Sequence, residues 1–218
     1  MKEEEKKYNI KLGGGDTVYS NKLSFTITSI GYSNKIIYRN NSKINDDIYV
    51  TGNLGDSFIG LLVLKNKIKI NKKLSNYFIK SYYKPDIKYL LVDDLNKFAT
   101  SSIDISDGLI SDLEKLINKQ KNSYKIFFNR IPVSKKLNSI VKTTKLLKKN
   151  LVSRGDDYQI LFTSNPKNRN FIHKIASSKK IKITCIGKIL DSSHKSSIID
   201  RNGQFVKINN KGYIHIFD

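Results

Sequence analysis

Apolar and polar positions alternate early in the chain, with Leu23, Phe25 and Ile27 set against Ser24, Thr26 and Thr28, the period of a half-buried strand. Tyr8 to Leu12 reads as a further strand, one whose pairing partners would have to come from elsewhere, because a lone strand pair is marginal. Ile48-Tyr49-Val50 predicts another strand, running through Thr51–Ser57 into an apolar helix from Phe58 to about Leu64. Helical patterns follow at about 72–82 and 86–98, separated by Pro85, then a strand over Ser101–Ile105 and a helix beginning near Asp107. In that helix Leu109, Ile110, Leu113, Leu116 and Ile117 share one face. Further strands are expected at 124–128, 159–163, 181–189 and 195–200, and helices near 134–148 and 166–178. Strands and helices alternate, which predicts an α+β fold, layered as in α/β domains. Residues 1–45 read as the remnant of a preceding domain and residues 46–218 as the main α+β domain.

Candidate chemistry sits at glycine-flanked strand ends. In Ser102-Ile103-Asp104-Ile105-Ser106-Asp107-Gly108-Leu109, alternation puts Ile103 and Ile105 on one face and Ser102, Asp104 and Ser106 on the other. Asp107 falls at the turn into the helix, where an N-cap is expected. A cap accounts for Asp107 but not for Asp104 facing the same way. Two carboxylates and a hydroxyl at a strand's C-terminal end suit Mg²⁺, which takes a few hard oxygen ligands together with phosphate. Gly13-Gly14-Gly15-Asp16-Thr17 is a second, weaker candidate: glycines let backbone N–H groups approach a phosphate, and Asp16 could hold its metal. The third is Arg154-Gly155-Asp156-Asp157-Tyr158-Gln159, where paired acids precede a strand; a cation site and a solvated turn both fit. Within Thr51–Ser57, Asp56 at the helix start would repel an anion, so a capping role is expected there. No Walker A loop and no protein-kinase signature is present.

Composition narrows the classes. Hydrophobic residues make up 39% of 218 residues, which is globular rather than disordered. The charged start Met1–Lys7 lacks the apolar stretch of a signal peptide, and a single cysteine, Cys185, excludes an internal disulfide. Cys185 is expected in the core, and the protein in the cytoplasm. A net charge of +21 raises the question of nucleic acid. The lysines are scattered rather than interleaved with aromatics, and abundant Lys, Asn and Ile match an AT-biased coding sequence, so nucleic-acid binding is not expected. His173, His194 and His215 show no metal-ligand spacing.

Taken in order, Gly14-Gly15-Asp16-Thr17, Ile48–Gly52 with Leu54-Gly55-Asp56-Ser57, Ile103–Leu109, Gly155-Asp156-Asp157-Tyr158 and Lys211-Gly212-Tyr213 resemble the thiamine-monophosphate kinases. That family belongs to the group typified by aminoimidazole ribonucleotide synthetase, and the resemblance spans its C-terminal two-thirds. It implies ATP- and Mg²⁺-dependent phosphorylation of thiamine monophosphate to thiamine diphosphate, with no covalent enzyme intermediate. By motif match, Asp16, Asp104 and Asp107 hold magnesium, Gly15, Arg39 and Ser106 contact ATP, and Asp156 and Tyr213 contact the thiamine compound. Two departures stand out: Asp156 replaces a customary glutamate and Arg154 a customary glycine. The family's N-terminal segment contributes further acids and most of the sheet through which a homodimer pairs. Without that segment the chain alone is expected to be inactive, or active only with that piece supplied separately. Alternatives are another ATP-dependent enzyme of the same superfamily, or a non-catalytic remnant or basic binding module.

Overall fold

The computed structural model describes residues 2–33, 35–118, 120–143 and 146–213; His215 lies outside them. Contacts divide the chain into two units, residues 1–36 and 37–218.

The first unit holds one helix, α1 (Lys2–Tyr8), and no strand among its described residues. Both strands expected here are corrected. Glu3, Glu4 and Glu5 in the first turn and Lys6 and Lys7 in the last suit the helix dipole, which favours α1 over a strand at Tyr8. The chain then turns back, with the Leu12 N–H on the Glu5 carboxylate at 2.7 Å. Leu23, Phe25 and Ile27 are exposed and unpaired in any ladder, because alternation specifies a strand only where a neighbouring strand covers one face.

The second unit is built on six strands: β1 (Asp47–Thr51), β2 (Ala99–Asp104), β3 (Ser123–Phe127), β4 (Ile160–Ser164), β5 (Ile183–Leu190) and β6 (Ser197–Ile199). They lie in the order β2-β4-β1-β5-β3-β6, antiparallel except for the β3–β6 pair. The remaining helices are α2 (Asp56–Leu64), α3 (Lys72–Tyr83), α4 (Val92–Phe98), α5 (Leu109–Ile117), α6 (Lys135–Thr143), α7 (Lys148–Leu151) and α8 (Arg169–Ser178). Both sheet faces are covered, so central β1 is buried at every position. On one face Ile48, Val50 and Leu161 meet the apolar stripe of α5. On the other, Tyr49 and Phe162, cross-strand partners with rings stacked at 5.1 Å, join residues of α4 and α8. A third cluster, with Ile59, Phe78 and Leu137, ties α2, α3 and α6 together beside the sheet. The mixed α+β architecture expected from the sequence is the one found. No helix among the described residues is long and apolar enough to cross a membrane.

Candidate functional site

The site forms where the β2–β4 pairing runs past both strands into their loops. The Ile105 N–H reaches the Gln159 carbonyl, the Tyr158 N–H the Ile105 carbonyl, and the Asp156 N–H the Ser106 carbonyl, each at 2.8–2.9 Å. On the other side the C-terminal segment closes in: the Tyr213 N–H donates to the Asp107 carbonyl at 2.8 Å and the Ser111 N–H to the Lys211 carbonyl at 2.9 Å. Residues 105–108, 155–158 and 211–213, far apart in sequence, are thereby clamped into one structure. Glycines permit the approach. A Cβ on Gly155 would stand 1.9 Å from the Ser106 carbonyl oxygen, and one on Gly108 2.2 Å from that of Ser153.

The turn into α5 differs from expectation. Asp107 does not cap the helix; the N-cap position is Gly108, with no side-chain cap. Asp112, buried inside the helix, accepts the N–H groups of Asp107 and Gly108 at 2.9 and 3.0 Å. A carboxylate reaching back from the first turn takes the N–H groups of the N-cap residue and the one before it, much as the acid of a capping box reaches back to the N-cap N–H. This releases the Asp107 side chain, which pairs with Lys115; Lys115 also holds Asp112 at 2.9 Å. Burial pulls the Lys115 ammonium down, but Asp107 and Asp112 outweigh it and the net shift is upward. Capping by Asp56 is likewise corrected. The residue before α2 is Gly55, in a left-handed conformation, and its N–H is taken by Asp157 at 2.8 Å. Asp56 instead receives Tyr77 and Ser134 hydroxyls at 2.7 and 2.8 Å, and burial pushes its carboxyl up. Of the paired acids in the third candidate, Asp157 is thus a buried structural group, and Asp156 is the one that faces the site.

A cavity of about 500 Å³ opens beside these loops, lined by residues including Ser106, Asp107, Arg154, Asp156, Tyr158 and Tyr213. That volume suits a small organic ligand. Asp156 (φ 66°) and Tyr158 (φ 48°) both adopt the left-handed region, uncommon for residues with a side chain and frequent at ligand sites. Burial, and then the nearby Asp107 charge, push the Asp156 carboxyl up. Burial also raises the Tyr158 phenol, helped by the charges of Asp156, Asp104 and Asp107. Phe58 carries the Arg154 guanidinium 5.1 Å from its ring centroid, a cation–π contact. The Arg154 Nε is buried and lacks a hydrogen-bond partner; a donor left in that state costs about 1–3 kcal/mol.

Of the residues singled out from sequence, Ser106, Asp107, Asp156 and Tyr213 line this cavity, and Asp104 stands exposed at the end of β2 beside them. Gly15 and Asp16 belong to the first unit, where a Cβ on Gly15 would meet nothing within 4 Å and Asp16 accepts its neighbour Thr17's N–H. Arg39 is exposed and precedes Asn40, whose N–H bonds the Leu116 carbonyl near the far end of α5 from Asp107. Cys185 is half-buried against the α4–α8 cluster. Sequence reasoning missed Asp112 and Lys115. Their signal was an acid and a base three residues apart at the start of an apolar helical face, Asp112 lying four residues beyond Gly108.

Comparison with known proteins gives a consistent relationship. The chain is 38% identical over 212 residues to the thiamine-monophosphate kinase of Buchnera aphidicola from Schizaphis graminum, covering 96% of this chain and 65% of that protein. Against the thiamine-monophosphate kinase of Escherichia coli K12 it is 34% identical over 211 residues, covering 95% and 64%. The chain therefore spans just under two-thirds of the length of these relatives. Among solved structures, the thiamine monophosphate kinase of Aquifex aeolicus superposes with a TM-score of 0.65 at 26% identity, covering 81% of this chain and 56% of that one. A structure of AaThiL complexed with AMPPCP and TMP superposes at 0.66 with 25% identity, covering 84% and 55%. The Escherichia coli hydrogenase maturation protein HypE, at 14% identity and 0.61, shares the fold. No family model matches the chain.

Proposed function

We propose that this chain, a homologue of the thiamine-monophosphate kinases over 65% of the length of its Buchnera relative, acts in the ATP-dependent phosphorylation of thiamine monophosphate to thiamine diphosphate. The observation that carries this reading is the convergence of Ser106, Asp107, Asp156 and Tyr213 on one cavity, held by backbone pairing between three separated motifs. Support comes from the AaThiL structure, whose bound AMPPCP is an ATP analogue.

The chemistry of the cavity fits the acceptor. Thiamine monophosphate joins a cationic thiazolium to a phosphate. A carboxylate in a partly desolvated pocket, Asp156, pairs with the cation, and the faces of Tyr158 and Tyr213 offer it further attraction. Phosphoryl transfer between phosphates needs positioning and charge neutralisation rather than a protein nucleophile. Magnesium belongs to the proposal. It binds through one or two carboxylates completed by phosphate oxygens and water, and Asp104 and Asp107 supply that kind of donor set. When bound there it would offset phosphate charge. Lys115 pairs with the Asp107 carboxylate and holds its orientation. Asp16 is proposed as a metal ligand, Gly15 and Arg39 as nucleotide contacts, and a homodimer as the assembly of the full-length family enzyme.

The test is formation of thiamine diphosphate from ATP and thiamine monophosphate, with the chain alone and with the N-terminal portion of a relative added. Product is expected in at least the second case, with Asp107→Asn lowering the rate by about 100-fold or more. Absence of product in both cases would refute the reading.

A further inference from the structure

Two cations line the cavity: Lys65, exposed just past α2, and Arg154, whose Nε is buried. Lys115 is held by Asp107 and Asp112, whereas Arg154 makes no side-chain hydrogen bond and no ion pair among the described residues. Its position is nevertheless fixed. The Arg154 N–H bonds the Leu151 carbonyl at 3.2 Å, the next residue, Gly155, is pressed on Ser106, and the guanidinium rests on Phe58. The cation–π contact with Phe58 restrains the guanidinium and leaves its N–H donors unused. Buried or half-buried polar groups without a partner are rare in native proteins and call for an explanation, a ligand being one. The cavity already contains Asp156 as an anionic group suited to the cationic ring. A ligand carrying one positive and one negative end would satisfy both.

We propose that Arg154 is the specificity-determining residue for the acceptor's phosphate: its guanidinium takes the phosphomonoester oxygens, while Asp156 takes the organic cation. A planar fork of N–H donors matches two phosphate oxygens at once, and lysine would supply only a point charge. The site thereby selects a cationic phosphomonoester over the same cation lacking its phosphate. The identity of the cation as thiamine rests on the function proposed above; the anion subsite does not.

The experiment follows the arginine Nε–H resonances of the chain by NMR, Arg154 being assigned from the signal absent in Arg154→Gln. The probes are thiamine monophosphate, thiamine and inorganic phosphate. Thiamine monophosphate is expected to shift the Arg154 signal, thiamine not to, and inorganic phosphate to do so only at higher concentration. Arg154→Gln should bind thiamine monophosphate roughly tenfold or more weakly, with affinity for thiamine unchanged and partial recovery in Arg154→Lys. A shift with inorganic phosphate but none with thiamine monophosphate keeps the anion subsite and removes thiamine as its ligand. No shift with either phosphate-bearing probe, or equal weakening of thiamine and its phosphate in Arg154→Gln, would overturn the proposal.

Discussion

Gly155→Ala is expected to be the most damaging methyl group that can be added to the site. The new Cβ would lie 1.9 Å from the Ser106 carbonyl oxygen, 2.8 Å from its carbon and 3.0 Å from the Asp107 carbonyl carbon. All three are backbone atoms in a turn already fixed by Asp112 and by the Tyr213 N–H, so no side chain can swing aside to make room. Relief requires separating the two loops, which breaks the hydrogen bonds of Asp156 to Ser106 and of Tyr158 to Ile105. Overpacking of this kind costs about 3 kcal/mol, which in a chain of this size lowers the melting temperature by roughly 6–12 °C. Calorimetry reads the loss, and ligand binding should fall with it because Ser106, Asp107 and Asp156 no longer face one cavity. Gly31→Ala, where a Cβ meets nothing within 4 Å, is the matched control and should change stability by less than about 0.5 kcal/mol.

The second large effect is expected at Asp157. This side chain is 4% exposed and accepts the Gly55 N–H at the start of α2. Burial, with the adjacent Asp56 and Asp156 charges, pushes its carboxyl up to about 8 despite the N–H donors of Gly55 and Ser57. Asp157→Ala leaves the Gly55 N–H buried without an acceptor and should cost about 2–3 kcal/mol. Asp157→Asn keeps an acceptor oxygen and cannot ionise, so its comparison with the wild type isolates the proton. In the unfolded chain the carboxyl ionises near 3.8, whereas in the folded chain it holds its proton to about pH 8. Unfolding thus releases a proton across that window. The stability conferred by the protonated group is full below about pH 4 and declines as pH rises toward 8. Urea denaturation at pH 5 and pH 8 should show the variant gaining on the wild type by more than about 1 kcal/mol. An unchanged difference between the two pH values would show that Asp157 is ionised in the folded chain.

The body of the fold was legible because its signals are local. The apolar run Ile48–Val50, the alternation over Ser101–Ile105 and the 3.6-residue stripe of α5 each declare an element whatever its neighbours do. Leu23–Ile27 carries the same alternation without a strand, because alternation describes a willingness to pair and says nothing of a partner. At the site, the residues with chemical meaning were readable from strand ends and glycines, but their supports were not. Asp112 replaces Asp107 at the turn, and Asp157 replaces Asp56 at α2, by reaching across space or back along a helix. Which of two neighbouring acids is buried depends on the chain's left-handed course at Asp156, a tertiary outcome that residue spacing does not encode.

The central claim is that the cavity between residues 105–108, 154–158 and 213 receives thiamine monophosphate. Backbone amide NMR of the chain titrated with that compound tests it most directly. Shifts are expected to concentrate at Ile105–Gly108, Arg154–Tyr158 and Tyr213. Shifts confined to the larger basic cleft of about 680 Å³ lined by Arg130, Lys148, Lys182 and Arg201, or no shifts at all, would contradict it.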